Sequence, residues 1–187
     1  AVINKAIDAG YKLIILLTGM TESLRSQTQK RINGDVIGQA HVDIEGSRKN
    51  AHVVGVGKID NTRSFASVLT TENTDFNKIK QRMIVNVAGN SEPTIMIVKK
   101  NKHVLQAVNS FIANQDVSKI PVLLIDDEAD NASVNTADVE KGEDPKAINN
   151  EIRTIVNGCE RISYLAYTAT PMANFFIDQE NFGKGNG

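Results

Sequence analysis

The chain has 187 residues, of which 41% are hydrophobic and 23% are charged, a composition that suits one globular domain with a buried core. Twenty-one basic and twenty-two acidic residues give a formal net charge of −1, so a contact with nucleic acid would have to come from a local basic cluster. The longest apolar runs, 13–17 and 121–125, are far shorter than the roughly 20 residues of a membrane span. With a single cysteine, Cys159, and no internal disulfide, we expect a cytoplasmic protein without a membrane partner.

The N-terminal residues predict a helix followed by a buried strand. Residues 1–10 read as the later turns of a helix that ends at Gly10, which suggests a helix already under way at the first residue. Residues 11–18 form an almost continuous apolar run, the pattern of a parallel strand covered on both faces.

A polar helix is predicted next, over residues 22–32. Thr21 can cap its first turn, and Asn33-Gly34 reads as its stop. Its less polar stripe consists of Leu24, Thr28 and Ile32. Residues 11–34 therefore predict a strand-loop-helix unit.

The rest of the chain alternates between strands and helices after one irregular region. Residues 35–92 are rich in Gly, Asn, Thr and Asp, and only 65–69 indicate a strand there. Further strands are predicted over 94–98, 121–125 and 162–167, and helices over about 103–113 and 145–157. We therefore expect a single α/β domain over 1–187, a three-layer α/β/α arrangement with a mostly parallel sheet.

Polar side chains follow several of the predicted strands. Ligands of parallel sheets bind beyond the carboxyl ends of the strands, which lie at one edge of the sheet. The residues expected to share that edge are Thr18, Lys99, Asp127, Glu128 and Thr168.

The apolar run at 121–125 stops abruptly in four carboxylates within 126–130. At a strand tip, Asp127 could hold Mg²⁺ through water, and Glu128 could orient and deprotonate a water that attacks a γ-phosphate. The plainer interpretation is an acidic loop after a core strand, with an Asp at a helix N-terminus. The pattern favours a site that hydrolyses a nucleoside triphosphate.

A second strand ends in the small hydroxyl residues of Thr168-Ala169-Thr170-Pro171. Alone, this segment is more typical of strand-end threonines that bond to the backbone. Together with the acidic segment it indicates a motor ATPase.

These two segments resemble motifs of a known family. Residues 125–130 and 168–171 resemble the Walker B box and the third motif of superfamily 2 helicases. More narrowly, the chain resembles the helicase-like "Z-one" domain of bacterial proteins classed as endonucleases, through residues 17–20, 24–28, 98–102 and 167–171. The likeness covers most of the chain and is weakest across 35–92.

The resemblance implies a RecA-like first motor domain of an ATP-dependent DNA helicase or translocase from a bacterial endonuclease-like or DNA-processing protein. ATP and Mg²⁺ would be its cofactors, and DNA and a second motor domain in the same chain its partners. Asp127 would be the magnesium carboxylate and Glu128 the catalytic base. The residues implied to contact the nucleotide or relay its state are Asp127, Asp130, Thr168 and Thr170.

Two groups of residues are expected to contact the nucleic-acid backbone. The resemblance places Thr18, Gly19, Arg25 and Gln27 in a backbone-contacting motif, although an ordinary turn and a solvated helix face explain them equally well. Charge alone singles out the dense basic cluster of Lys99, Lys100 and Lys102, and such clusters are often simply solvated.

A glycine-rich phosphate loop is missing, because no Gly-Lys in the chain is followed by Ser or Thr. In the family this loop lies immediately upstream of a helix that resembles residues 1–9. We therefore expect a truncated motor domain that alone neither binds ATP tightly nor hydrolyses it. The alternative is a degenerate, non-catalytic module that serves as a platform for nucleic acid or protein.

Overall fold

The structure, a computed structural model, describes residues 2–37, 66–77, 87–115, 117, 119–129 and 145–168. The helices within these ranges are α1 (Val2–Asp8), α2 (Glu22–Ile32), α3 (Lys102–Asn114) and α4 (Pro145–Asn157), and a π-helical turn (Asn33–Ile37) follows α2. The strands are β1 (Leu13–Thr18), β2 (Ser67–Val68), β3 (Thr94–Lys99), β4 (Val122–Asp126) and β5 (Ile162–Ala166). None of the helices in the described ranges is long and apolar enough to cross a membrane.

The five strands form one all-parallel sheet in the order β2-β3-β1-β4-β5. The central strand β1 is paired on both sides, with Leu13 opposite Thr94 of β3 and Val122 of β4. All six residues of β1 are buried, as expected for an almost continuous apolar run in the middle of a parallel sheet.

Helices cover both faces of the sheet and complete three layers. On one face, α3 and α4 pack against alternate strand residues such as Ile15, Met96 and Leu124. On the other, α1 and the end of α2 pack against the intervening residues, among them Ile14 and Leu123. Two such cores follow from the period of two along each strand, and the predicted α/β/α fold class is confirmed.

The predicted helices and strands are confirmed to within about two residues at their ends, the usual uncertainty of such boundaries. Gly10 has a φ of +87°, the left-handed conformation expected after a helix end. The strand predicted over 65–69 is the two-residue edge strand β2. Most of the region predicted to be irregular, 38–65 and 78–86, lies outside the described residues.

The structure confirms the predicted end of α2 and corrects part of its predicted buried stripe. The α-helix ends at Ile32 with Asn33 as its C-cap, and the chain then continues through the π-helical turn to the buried Ile37. Of the predicted stripe, Ile32 packs against the core, but Leu24 is exposed, and the fully buried positions of α2 are Arg25 and Gln29. The buried face of α2 is therefore largely polar, and its burial depends on hydrogen bonds.

Candidate active site

The carboxyl ends of four strands meet at one edge of the sheet, as the parallel arrangement predicts. Thr18 at the end of β1 lies opposite Lys99 at the end of β3, and Leu17 lies opposite Asp126 at the end of β4. Asp126 in turn lies opposite Ala166, the last residue of β5. The acidic segment after β4 therefore sits between the tips of β1 and β5.

The acidic loop, defined as residues 126–129, is fastened to both neighbouring strands by backbone hydrogen bonds. The amide N of Asp127 donates to the carbonyl O of Leu17 (2.9 Å), and the amide N of Ala129 donates to the carbonyl O of Tyr167 (2.9 Å). The amide N of Tyr167 donates back to the carbonyl O of Asp126 (2.8 Å). These bonds fix the loop on a rigid element, as a preorganised site requires.

The side chains of the acidic loop differ in exposure. Asp127 is exposed at the sheet edge and Glu128 is half-buried, whereas Asp126 is almost completely buried. Glu128 has a φ of +56°, which is uncommon for a residue with a β-carbon. Asp127 is thus accessible to a hydrated cation, and Glu128 lies beside it in a sheltered position.

The buried carboxylate of Asp126 is held from two sides. The Tyr164 hydroxyl of β5 donates to Asp126 Oδ2 (2.8 Å), and Lys100 Nζ forms an ion pair with Asp126 Oδ1 (2.9 Å). Partial burial of the hydroxyl end, together with the charge of Asp126 and this hydrogen bond, raises the pKa of Tyr164 well above its ordinary value. Tyr164 therefore remains a hydrogen-bond donor to Asp126 at any pH near neutrality.

Gly19, directly after β1, forms one wall against Glu128. A β-carbon at Gly19 would lie 2.7 Å from Glu128 Oε2 and 2.8 Å from Leu24 Cδ1. The Glu128 carboxylate therefore occupies space that any other residue at position 19 would fill. The resemblance placed Gly19 in a motif that contacts the nucleic-acid backbone, and in this structure the group closest to the open side of Gly19 is the Glu128 side chain.

Three of the residues predicted to contact nucleic acid are buried and engaged inside the protein. Lys100 is fully buried among backbone carbonyls and Asp126. Arg25 donates to the carbonyl oxygens of Thr71 (2.9 Å) and Glu72 (2.8 Å). The Thr18 hydroxyl donates to the carbonyl O of Val98 (3.2 Å). In this structure the polar groups of all three are engaged by protein atoms and not exposed to solvent, so they offer no surface for a phosphate in this conformation.

The remaining members of that set lie nearer the surface. Gln27 on α2 and Lys102 at the start of α3 are exposed. Lys99 is partly exposed, and its Nζ donates to Glu22 Oε2 (3.2 Å). Partial burial raises the pKa of Glu22, but the hydrogen bonds and charges of Arg25 and Lys99 outweigh it and lower that pKa overall.

The Thr-Ala-Thr segment is only partly described. Thr168 is half-buried and directly follows Tyr167, whose backbone carries two hydrogen bonds to the acidic loop. Thr170 lies outside the described residues, as does Asp130 on the other segment. The described part of the chain thus brings Asp127, Glu128 and Thr168 to one edge.

Sequence reasoning missed a buried polar network between α2 and the segment 70–75. Thr70 Oγ1 donates to Gln29 Oε1 (2.7 Å) and accepts from the amide N of Ile97 (3.0 Å). Gln29 Nε2 donates to Asn33 Oδ1 (2.9 Å). The i, i+4, i+8 spacing of Arg25, Gln29 and Asn33 was the available signal, since it places three polar side chains on one helix face.

Asp75 completes this network next to Arg25. It accepts from the amide N of Phe76 (2.6 Å) and of Lys99 (3.3 Å), and Arg25 Nε lies 3.9 Å from its Oδ2. Burial raises the pKa of Asp75 to about 6, against the lowering effect of these hydrogen bonds and of the Arg25 charge. The folded protein therefore favours the protonated carboxyl relative to the unfolded chain.

We expect this shift to make stability depend on pH between about 4 and 6. In that window the folded state binds more protons than the unfolded state, so the free energy of unfolding falls as pH rises, by about 3 kcal/mol for two pKa units. The free energy of unfolding in urea should be measured for wild type and Asp75→Asn. The difference between the two values should change with pH across this window and be constant above it. Asp35→Asn, at an exposed carboxylate, controls for loss of a charge. A wild-type minus Asp75→Asn difference that stays constant from pH 4 to 7 would contradict the assignment.

No family model, curated protein or solved structure matches this chain. The geometry of the acidic loop and of the strand tips beside it is therefore the available indication of its function.

Proposed function

We propose that this chain forms the acidic half of an ATP-hydrolysing site in a helicase-like motor domain. Asp127 would hold Mg²⁺ through water, and Glu128 would orient and deprotonate the water that attacks the γ-phosphate. The observation that supports this most is the position of both carboxylates on a loop hydrogen-bonded to β1 and β5, at the carboxyl edge of a parallel sheet. This edge is where such sheets bind their ligands.

The coupling of ATP hydrolysis to movement on DNA would run from the acidic loop to β5. Three hydrogen bonds join them: Ala129 N to Tyr167 O, Tyr167 N to Asp126 O, and Tyr164 Oη to Asp126 Oδ2. A shift of the loop would therefore move the tip of β5 and the threonines after it, Thr168 and Thr170. Of the predicted DNA contacts, Gln27, Lys99 and Lys102 remain accessible to serve the proposal.

The proposal requires a phosphate loop from sequence outside these 187 residues, since no Gly-Lys here is followed by Ser or Thr. A second motor domain would also contribute to the complete enzyme. The test is Mg²⁺-dependent ATP hydrolysis, measured for this chain alone and for a polypeptide that also carries the phosphate loop. We expect turnover only in the second, and loss of it in Glu128→Gln. A turnover in the 187-residue chain that vanishes in Glu128→Gln would contradict the need for the loop.

One set of observations favours a non-catalytic platform as the second candidate. The sequence lacks the phosphate-binding lysine motif, and Lys100 and Arg25 are used inside the fold. If the chain is a non-catalytic platform, the polypeptide that also carries the phosphate loop should bind nucleic acid or protein and show no ATP hydrolysis. Turnover that depends on Glu128 would exclude it.

A further inference from the structure

Lys100 is a buried cation that contacts the acidic loop through two hydrogen bonds and one ion pair. Its Nζ donates to the carbonyl oxygens of Asp127 (2.7 Å) and Glu128 (2.6 Å), and it pairs with Asp126 Oδ1 at 2.9 Å. Two of its three N–H donors are thus used by carbonyl oxygens, and the contact with Asp126 is an ion pair rather than a hydrogen bond, since Asp126 Oδ1 has no hydrogen-bond partner among the described residues. Lys100 is also fully buried, which makes each contact stronger than it would be in water.

The two carbonyl contacts bear directly on the backbone of Glu128. The carbonyls of Asp127 and Glu128 belong to the two peptide planes on either side of the Glu128 α-carbon. Anchoring both oxygens to one nitrogen fixes the orientation of these planes and hence the torsion angles between them. The φ of Glu128 is +56°, a conformation that is unfavourable for residues with a β-carbon and persists only where the surroundings impose it.

The conformation of Glu128 decides where its carboxylate lies. Glu128 Oε2 is the nearest atom to a β-carbon placed at Gly19, so the side chain points to the tip of β1. Lys100 also reaches that tip through its own backbone, since its amide N donates to the carbonyl O of Gly19 (3.4 Å). One residue thus touches both the acidic loop and the wall that Glu128 packs against.

We infer that Lys100 is a positioning residue that holds Glu128 in its left-handed conformation and thereby aims the Glu128 carboxylate. The conformational part of this inference stands on the contacts alone. Its catalytic consequence rests on the proposed function, in which Glu128 is the base. Lys100 touches neither nucleotide nor DNA in this account.

The direct test is the φ of residue 128, measured by NMR in the 187-residue chain. We expect a positive φ in wild type and a negative φ in Lys100→Met, because the substitution removes the donor that the carbonyls of Asp127 and Glu128 share. Lys30→Met, at an exposed lysine of α2, is the matched control and should keep the positive φ. A positive φ that persists in folded Lys100→Met would overturn the inference.

A second variant guards against loss of folding. Lys100→Met leaves the Asp126 carboxylate buried without its cation, which can destabilise the whole chain. The double variant Lys100→Met with Asp126→Leu replaces both members of the pair, an exchange that buried ion pairs often tolerate. It too should lose the positive φ at Glu128, and retention of that φ would count against Lys100 as its cause.

ATP hydrolysis kinetics of a polypeptide that also carries a phosphate loop separate this inference from the proposed function. If Glu128→Gln hydrolyses ATP as fast as wild type, the proposed function fails. The φ of residue 128 in Lys100→Met still tests whether Lys100 holds the conformation of Glu128. If Glu128→Gln is inactive, we expect Lys100→Met to lower kcat at least about tenfold with little change in the KM for ATP, as for a misplaced base. An unchanged kcat in Lys100→Met would then overturn the positioning role alone.

Discussion

Gly19→Ala is expected to lower ATP turnover about 100-fold in the polypeptide that carries the phosphate loop, the loss typical of a group displaced by about 1 Å. The added methyl group would lie 2.7 Å from Glu128 Oε2, so the carboxylate has to move away from the tip of β1. Leu24, the other close neighbour, has an exposed side chain and can shift. Urea unfolding should change by less than about 1 kcal/mol, since the displaced groups are flexible side-chain ends rather than backbone.

Gly34→Ala provides the matched control for this prediction. Gly34 is exposed in the π-helical turn, and a β-carbon there meets no atom within 4 Å. The variant should keep wild-type turnover and be unchanged or slightly more stable, because alanine restricts the unfolded chain. If Gly19→Ala turns over ATP as fast as Gly34→Ala, the carboxylate position seen here is not the one that catalysis uses.

Arg25→Ala is expected to destabilise the fold by about 3–5 kcal/mol, the cost of removing one partner from a buried charged network. The Arg25 side chain is fully buried and donates to Glu22 Oε1 (2.7 Å) and to the carbonyl oxygens of Thr71 and Glu72. Its loss leaves these carbonyls without their donor and removes the positive charge nearest to Asp75. The measurement is the free energy of unfolding in urea at pH 7.

Arg31→Ala is the control, on the same helix but outside the network. The Arg31 side chain is 81% exposed and faces Asp35 at 3.7 Å, a surface pair worth at most about 0.5 kcal/mol. Arg25→Lys should fall between the two variants, because it keeps the charge but cannot serve both carbonyls with a planar fork. A loss below about 1 kcal/mol in Arg25→Ala would contradict the structural role assigned to Arg25.

The fold class was predictable because the information is local. The uniformly apolar runs that became β1, β3 and β4 predict buried parallel strands, and the apolar positions of α3 recur with the helical period. The strand order could not be predicted in this way, since nothing in the sequence of β1 indicates that β3 and β4 flank it. That order depends on how the helices pack against the two faces.

The polar interior of α2 could not be predicted from hydrophobicity. Arg25 and Gln29 are buried because their partners, the carbonyls of Thr71 and Glu72 and the hydroxyl of Thr70, come from more than 40 residues further along the chain. A pattern of apolar residues selected Leu24 instead, and Leu24 is exposed. Satisfied hydrogen bonds outweighed side-chain polarity at this surface.

The candidate site was predictable only in outline. Carboxylates that end a buried strand are placed at a sheet edge by the strand itself, and Asp127 and Glu128 lie there. Lys100 carried the same charge signal as Lys99 and Lys102, although it points inward to three oxygens of the acidic loop. Charge clusters in a sequence do not indicate which member is solvated, and only the tertiary contacts separate them.

The most direct test of the proposed function is nucleotide turnover by Glu128→Gln in a longer polypeptide that carries this chain together with a phosphate loop. Binding of Mg²⁺–ATP and its hydrolysis should be measured in the same preparation. Wild type and Glu151→Gln are measured in parallel; Glu151 is a residue of α4 whose carboxylate accepts from Gln106 and Asn109 of α3. We predict that Glu128→Gln binds ATP as wild type does but hydrolyses it at least about 100-fold more slowly, since a positioned general base contributes 10²–10⁴-fold. Hydrolysis at the wild-type rate in Glu128→Gln would contradict the account.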